Sequence, residues 1–110
     1  MATYLVTGGA GFIGTHLVSA LLTAGHAVRI LDNFSTSART HCDVRAEIFP
    51  FDIRDVEQIR PAFRGVDGVF HLAALPRVQY SMEHPIETHT VNAMGTLHVL
   101  EAARAAGVRR

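Results

Sequence analysis

Thr7-Gly8-Gly9-Ala10-Gly11-Phe12-Ile13-Gly14 follows the apolar stretch Tyr4-Leu5-Val6 and leads into a helical pattern, and Asp32 lies 18 residues beyond Gly14. The glycines therefore sit at a strand–turn–helix junction. A side chain at Gly8 would obstruct the tight turn, one at Gly11 would hold the backbone away from a phosphate, and one at Gly14 would push the helix off the sheet. The free N–H groups and positive dipole end of a helix beginning near Phe12 then face an anion. Asp32 can accept hydrogen bonds from an adenosine ribose, and its charge repels a 2′-phosphate. Glycine alone serves many turns through its access to positive φ. With the strand before it, the helix after it and the acid at this distance, the stretch reads as a dinucleotide pyrophosphate site.

Outward from that junction the chain alternates strands with helices. Residues 2–7 predict a first strand; Ile13, Leu17, Leu21 and Ala24 then recur at helical spacing, and Gly25 stops that helix. Residues 27–31 predict a second strand with Asp32 at its carboxyl end, residues 33–43 a polar loop, and residues 46–51 a third, weaker strand. Asp55 and Gln58 stand at N-cap and N3 spacing and open a short helix. Pro61 bends or shortens it by removing a backbone donor. Residues 66–72 predict a fourth strand, and residues 73–84 a connection long enough to suit a functional loop. Pro85 suits the first turn of a last helix, with Ala93, Leu97, Leu100 and Arg104 along one stripe and Gly107 as its stop.

Strands separated by helices pair in parallel through right-handed crossovers. The expected fold class is α/β: a partial Rossmann, doubly wound parallel sheet of four strands in the order 3-2-1-4, with helices on both faces. A ligand belongs in the crevice outside the carboxyl ends of the first and fourth strands, where both the glycine turn and the 73–84 connection lie. Gly107-Val108-Arg109-Arg110 falls where a fifth strand is due, so residues 1–110 are expected to be the N-terminal portion of a larger dinucleotide-binding domain. The free edge of residues 66–72, with Val69, Phe70 and Leu72, would then offer unpaired backbone groups for self-association.

Ten basic and ten acidic residues cancel among the 110, which points to no nucleic acid and no membrane surface as a partner. No apolar run approaches the roughly 20 residues of a membrane span. The N-terminus enters the first strand directly, without a basic region of the kind that opens a signal peptide, and the single Cys42 fits a reducing compartment. A cytoplasmic location is expected. His84 and His89 lack a converging third ligand, so no metal site is expected. All ten basic residues are arginine; there is no lysine.

The glycine stretch, Leu31-Asp32-Asn33, Phe51-Asp52-Ile53-Arg54-Asp55, His71-Leu72-Ala73-Ala74 and Val91-Asn92-Ala93-Met94-Gly95-Thr96 occur in that order. Together they resemble the extended short-chain dehydrogenase/reductases, in particular the NAD-dependent nucleotide-sugar epimerases and dehydratases. The resemblance runs over essentially the whole chain and implies NAD as cofactor and a nucleotide sugar, of the UDP-hexose type, as substrate of a complete enzyme. It implies that Gly8, Gly11, Phe12, Ile13 and Gly14 form the pyrophosphate turn. Asp32 and Asn33 would hold the adenosine ribose, with Thr36 and Ser37 near the adjacent phosphate. Asp52 would accept from the adenine amino group and Ile53 would pack near the ring. Leu72, Ala73 and Ala74 would line the nicotinamide side, and Asn92 would order the active-site floor. Plainer readings stand beside these: Asp52 as the start of the turn toward Asp55, Ala73 and Ala74 as packing alanines, Asn92 on a solvated helix face, and His71 as a core or cap histidine.

The sequence departs from the family's pattern in two places. Pro76 and Arg77 stand where some hexose epimerases carry a lysine. Arg77 and Ser81 become candidate substrate contacts, Arg77 through a diphosphate or sugar carboxylate, with an exposed loop arginine as its plainer reading. The family's Tyr-x-x-x-Lys pair, with its upstream Ser or Thr, is absent: the tyrosines are Tyr4 and Tyr80, and no lysine follows either. No catalytic residue is assigned, and these residues alone are expected to be non-catalytic. The alternative is a non-catalytic dinucleotide-binding or regulatory module with the same fold.

Overall fold

Leu5 and Val6 are neighbours in β1 (Thr3–Thr7), and both are fully buried. Successive strand residues point to opposite faces, so β1 has covered apolar layers on both sides. This is the mark of a central parallel strand. The computed structural model describes residues 1–110, and its parallel sheet runs in the order β3-β2-β1-β4, with β2 spanning Ala27–Leu31, β3 Glu47–Phe49 and β4 Gly68–His71. Thr7 pairs with Leu31 on one side and His71 on the other, which sets the carboxyl ends of the three strands level.

One face is covered by α1 (Phe12–Thr23), whose Val18 packs with Val6, Val28 and Ile30; Cys42 lies against the same layer. The other is covered by α2 (Val56–Ile59), a following 3-10 turn over Arg60–Phe63, and α5 (Gly95–Ala105). Leu5, Leu31, Ile59, Phe63, Val99 and Ala102 meet there. Each fully buried Leu, Ile or Phe contributes about 1.5–3 kcal/mol.

Local rules set the element ends. Asp55 accepts from Gln58 N–H at 3.3 Å and starts α2, which tightens into the 3-10 turn at Pro61. Arg29, from β2, donates to the Ala62 and Arg64 carbonyls at 2.9 and 2.6 Å and closes that turn. Helix α1 ends with Gly25 N–H on the Leu22 carbonyl and His26 N–H on that of Leu21; α5 repeats the pattern with Gly107 and Val108 on Arg104 and Ala103.

Three expectations need correction. The 73–84 connection is not all loop, because Val78–Glu83 forms α3 before α4 (Pro85–His89) begins at the proline. The last helix is not uniform: a π turn over Thr90–Met94 joins α4 to α5, and the stripe through Leu97 and Leu100 faces outward, at 54% and 63% exposure, while Gly95, Val99 and Ala102 face the sheet. Leu97, Leu100 and Arg104 all lie in α5 beyond the π turn and share its outer face; the inner face is set by Gly95, where a Cβ would meet Ile53. The free edge of β4 is partly taken, since Val69 N–H donates to the Arg110 carbonyl at 2.9 Å.

Candidate functional site: a cleft across the carboxyl ends of the strands

The turn after β1 is held by contacts that leave no space for a side chain. Gly8 has φ +69°, and a Cβ there would lie 2.8 Å from the backbone nitrogen of Ala73. A Cβ on Gly14 would strike the Gly8 carbonyl oxygen and the Gly9 backbone. The helix and both turns thus meet backbone to backbone. Gly95 plays a related part on the other face, where a Cβ would run into the side chain of Ile53.

Against this junction opens a cavity of about 590 Å³, in the range of cofactor pockets. Gly8, Gly11, Phe12, Ile13 and Gly14 form one wall, and Asp32, Asn33, Thr36 and Ser37 the next. Asp52 and Ile53 lie beyond them, and Leu72, Ala73, Ala74 and Arg77 close the opposite side. Two candidates lie elsewhere. Ser81 does not line the cavity: its hydroxyl donates to the Val78 carbonyl at 2.7 Å within α3. Asn92 also lies off the lining, and its amide instead clasps the Leu75 backbone, accepting from N–H at 2.8 Å and donating to C=O at 2.9 Å.

The carboxylates are fixed before any ligand arrives. Asp32 accepts from Ala10 N–H at 3.1 Å and from Phe34 N–H at 2.8 Å, so it ties the glycine turn to the loop after β2. Phe34 follows with φ +58°. Asn33 donates to Asp52 at 3.0 Å and accepts from Ser35 N–H at 3.1 Å. Asp52 pairs with Arg54 at 2.7 Å. Hydrogen bonds from the Arg54 guanidinium, then from its backbone N–H and from Asn33, pull the Asp52 carboxyl down to about 2 against the opposing cost of burial.

Reasoning from sequence passed over Arg54, Leu75 and Glu87, which also line the cavity. Arg54 stood inside a quoted motif, and its position two residues after an acid at a turn was the available signal. Glu87 had none: it is brought in by α4, and it accepts from the Tyr80 hydroxyl at 2.6 Å. Thr7 and Thr96 were also missed. His71 lies between them, Nδ1 2.7 Å from Thr7 Oγ1 and Nε2 2.9 Å from Thr96 Oγ1. Burial lowers its pKa from the ordinary imidazole value.

A glycine-lined turn at a helix start, an acid at the end of the next strand and a cleft at the switch between β1 and β4 define a Rossmann-type dinucleotide fold. The chain belongs to the NAD dependent epimerase/dehydratase family, whose pattern it matches over residues 4–110. It is 44% identical over 110 residues to the UDP-glucose 4-epimerase of Streptomyces lividans, covering 97% of this chain and 33% of that protein. The structure of UDP-glucose 4-epimerase from Thermus thermophilus in complex with NAD superposes with a TM-score of 0.93 at 43% identity, over 97% of this chain and 35% of that one. The Thermotoga maritima UDP-glucose 4-epimerase with UDP-glucose gives a TM-score of 0.93 at 36% identity, over 96% and 35%. The chain therefore spans about a third of the length of these relatives.

Proposed function

We propose that the cleft binds NAD and that these residues are the dinucleotide-binding portion of a nucleotide-sugar epimerase or dehydratase. The observation that carries the reading is Asp32, a cavity-lining carboxylate joined to the glycine turn through Ala10 N–H at 3.1 Å. Gly8, Gly11, Phe12, Ile13 and Gly14 would hold the pyrophosphate, with the start of α1 supplying N–H groups. Asp32 and Asn33 would hold the adenosine ribose, Thr36 and Ser37 the adjacent phosphate, and Asp52 and Ile53 the adenine. Leu72, Ala73 and Ala74 would face the nicotinamide, and Arg77 a substrate diphosphate or sugar carboxylate. The group supplies a hydride acceptor when bound; these side chains bind and orient it.

No proton-transfer step is assigned to these 110 residues. The Tyr80 hydroxyl is engaged by Glu87, which raises its pKa, the wrong direction for a base at neutral pH. Tyr4 packs in the sheet against His26 and Phe70. Classification as an isomerase, a UDP-sugar as substrate and a cytoplasmic location extend the same reading, the last supported by the lone Cys42 thiol, raised in pKa by burial. Self-association along residues 66–72 is supported by Phe70 and Leu72, each 38% exposed. No helix is long and apolar enough to cross a membrane.

Calorimetric titration with NAD and NADP tests the assignment. NAD should bind more tightly, and Asp32→Ala should weaken it by about 1.5–3 kcal/mol, the range for a charge-assisted hydrogen bond, while narrowing the preference. Tighter binding of NADP by the unmodified chain would overturn it.

A further inference from the structure

His71 belongs to a closed circuit of hydrogen bonds whose proton positions can be assigned by counting donors. Thr7 Oγ1 accepts from Leu72 N–H at 3.0 Å and Ala73 N–H at 3.1 Å, which uses both of its lone pairs. Its own proton must therefore go to His71 Nδ1, 2.7 Å away. On the far side, Thr96 Oγ1 donates to the Asn92 carbonyl at 2.6 Å and so can only accept from His71 Nε2, 2.9 Å away. The imidazole is neutral, with its proton on Nε2. Asn92 completes the circuit by clasping both backbone groups of Leu75. The π turn that carries Asn92 is thereby joined, through one ring, to the turn that follows β4.

We infer that His71 is a positioning residue of the dinucleotide cleft: as the neutral Nε2–H tautomer it sets the Leu72–Ala73 end of the cleft wall through Thr7 and joins it to Thr96, and its protonation frees the Ala73 end. The inference rests on the NAD reading of the cleft. Leu72, Ala73, Ala74 and Leu75 all line the cavity, and Ala73 N is the atom that a Cβ on Gly8 would meet, so a shift in this turn reaches both walls. A proton on Nδ1 would set two donors against each other. Thr7 Oγ1 must then turn its hydrogen away and give up a lone pair; Leu72 N–H keeps the Thr7 carbonyl at 3.1 Å, so Ala73 N–H is the bond that is lost. Neither element packed on the ring offers a charge to stabilise the cation. β1 presents Thr7 and α5 presents Thr96, while His98 of α5 is turned to the Ile53 carbonyl at 2.8 Å. Burial favours the neutral form.

The test has arms that do not depend on NAD. Long-range proton–nitrogen spectra of the 110-residue chain at pH 7.5 should show Nε2–H and an accepting Nδ1 for His71. Amide exchange at Ala73, corrected for intrinsic rate, should lose about tenfold of its protection for each pH unit below the His71 midpoint, with Val6 and Leu72, which keeps the Thr7 carbonyl, as the unaffected controls. NAD affinity should fall in parallel by about tenfold per unit. Thr96→Val should weaken NAD at pH 7.5 and move the His71 midpoint, and Thr96→Ser should restore both. An Nδ1–H tautomer, or protection at Ala73 that ignores the His71 titration, overturns the inference whatever NAD does. The predicted exchange behaviour with no NAD binding at any pH overturns the reading of the cleft instead.

Discussion

The two turns that face each other across the cleft are built by opposite means. The one after β1 is set by the absence of side chains: Gly8 at φ +69°, with Gly14 pressed on the Gly8 carbonyl. The one after β4 is set by side chains, Thr7, His71 and Asn92, which hold Leu72, Ala73 and Leu75 by their backbone groups. The first has one conformation because atoms cannot overlap. The second has one conformation because polar groups must be paired, and pairing depends on protonation. One wall of the cleft is thus held by contact, and the other by paired polar groups.

The sharpest way to break this comparison is to place a methyl group in the rigid turn. In Gly14→Ala the new Cβ meets the Gly8 oxygen and the Gly9 backbone, neither of which can swing aside as a side chain would. Overpacking costs typically 1–3 kcal/mol and more where backbone must move, so about 3 kcal/mol is expected. In a domain of this size that lowers the melting temperature by more than about 10 °C, read by calorimetry or circular dichroism. A melting point within a few degrees of the parent would show that the turn has slack.

The second wall should yield less. Asn92→Ala removes both bonds to Leu75, at 2.8 and 2.9 Å, and leaves the Leu75 N–H and C=O to find water. Each lost bond is worth about 0.5–1.5 kcal/mol, offset by about 0.6 kcal/mol of helix propensity gained by alanine, so a net loss of about 1–2 kcal/mol is expected in thermal melts. Asn92→Asp should not rescue it, because a carboxylate cannot donate to the Leu75 carbonyl. Rescue by aspartate would remove the carbonyl bond from the account.

The same contrast explains what could be read in the sequence. Steric demands on backbone appear as glycine, and so Gly8, Gly14 and the sheet order they imply were legible. Gly25 and Gly107 marked the ends of α1 and α5 for the same reason. Hydrogen-bond circuits leave no such mark. Thr7, His71 and Thr96 are common residues in a strand or helix, and their meeting depends on the parallel register of Thr7 with His71 and on the approach of α5. The π turn over Thr90–Met94 was equally silent, and the stripe through Leu97 and Leu100 lies on the outer face, with Val99 and Ala102 inward. The helix α3 was also illegible in the 73–84 segment, and it directs the Ser81 hydroxyl to the Val78 carbonyl.

The outer wall of the cleft supplies the weak end of the scale. Arg54 pairs with Asp52 at 2.7 Å, but the two side chains keep 38% and 26% of their surface in solvent. Pairs this wet are worth about 0–1 kcal/mol, so Arg54→Gln should lower the melting temperature by no more than about 5 °C at neutral pH. Its clearer effect is on titration. The Arg54 guanidinium is the main reason the Asp52 carboxyl lies at about 2 rather than 3.8. A carboxyl held lower in the folded state than in the unfolded one adds stability above the unfolded value and loses it as pH falls through the folded value. In the parent the contribution of Asp52 should therefore fade between about pH 4 and pH 2. In Arg54→Gln the carboxyl midpoint, followed by carbon NMR, should move up toward the ordinary carboxylate range, and the acid limb of the stability curve should flatten. A loss of melting temperature equal to that of Asn92→Ala would instead make the ion pair a structural member of the cleft, and the division into a rigid wall, a titratable wall and a solvated rim would fail at the rim.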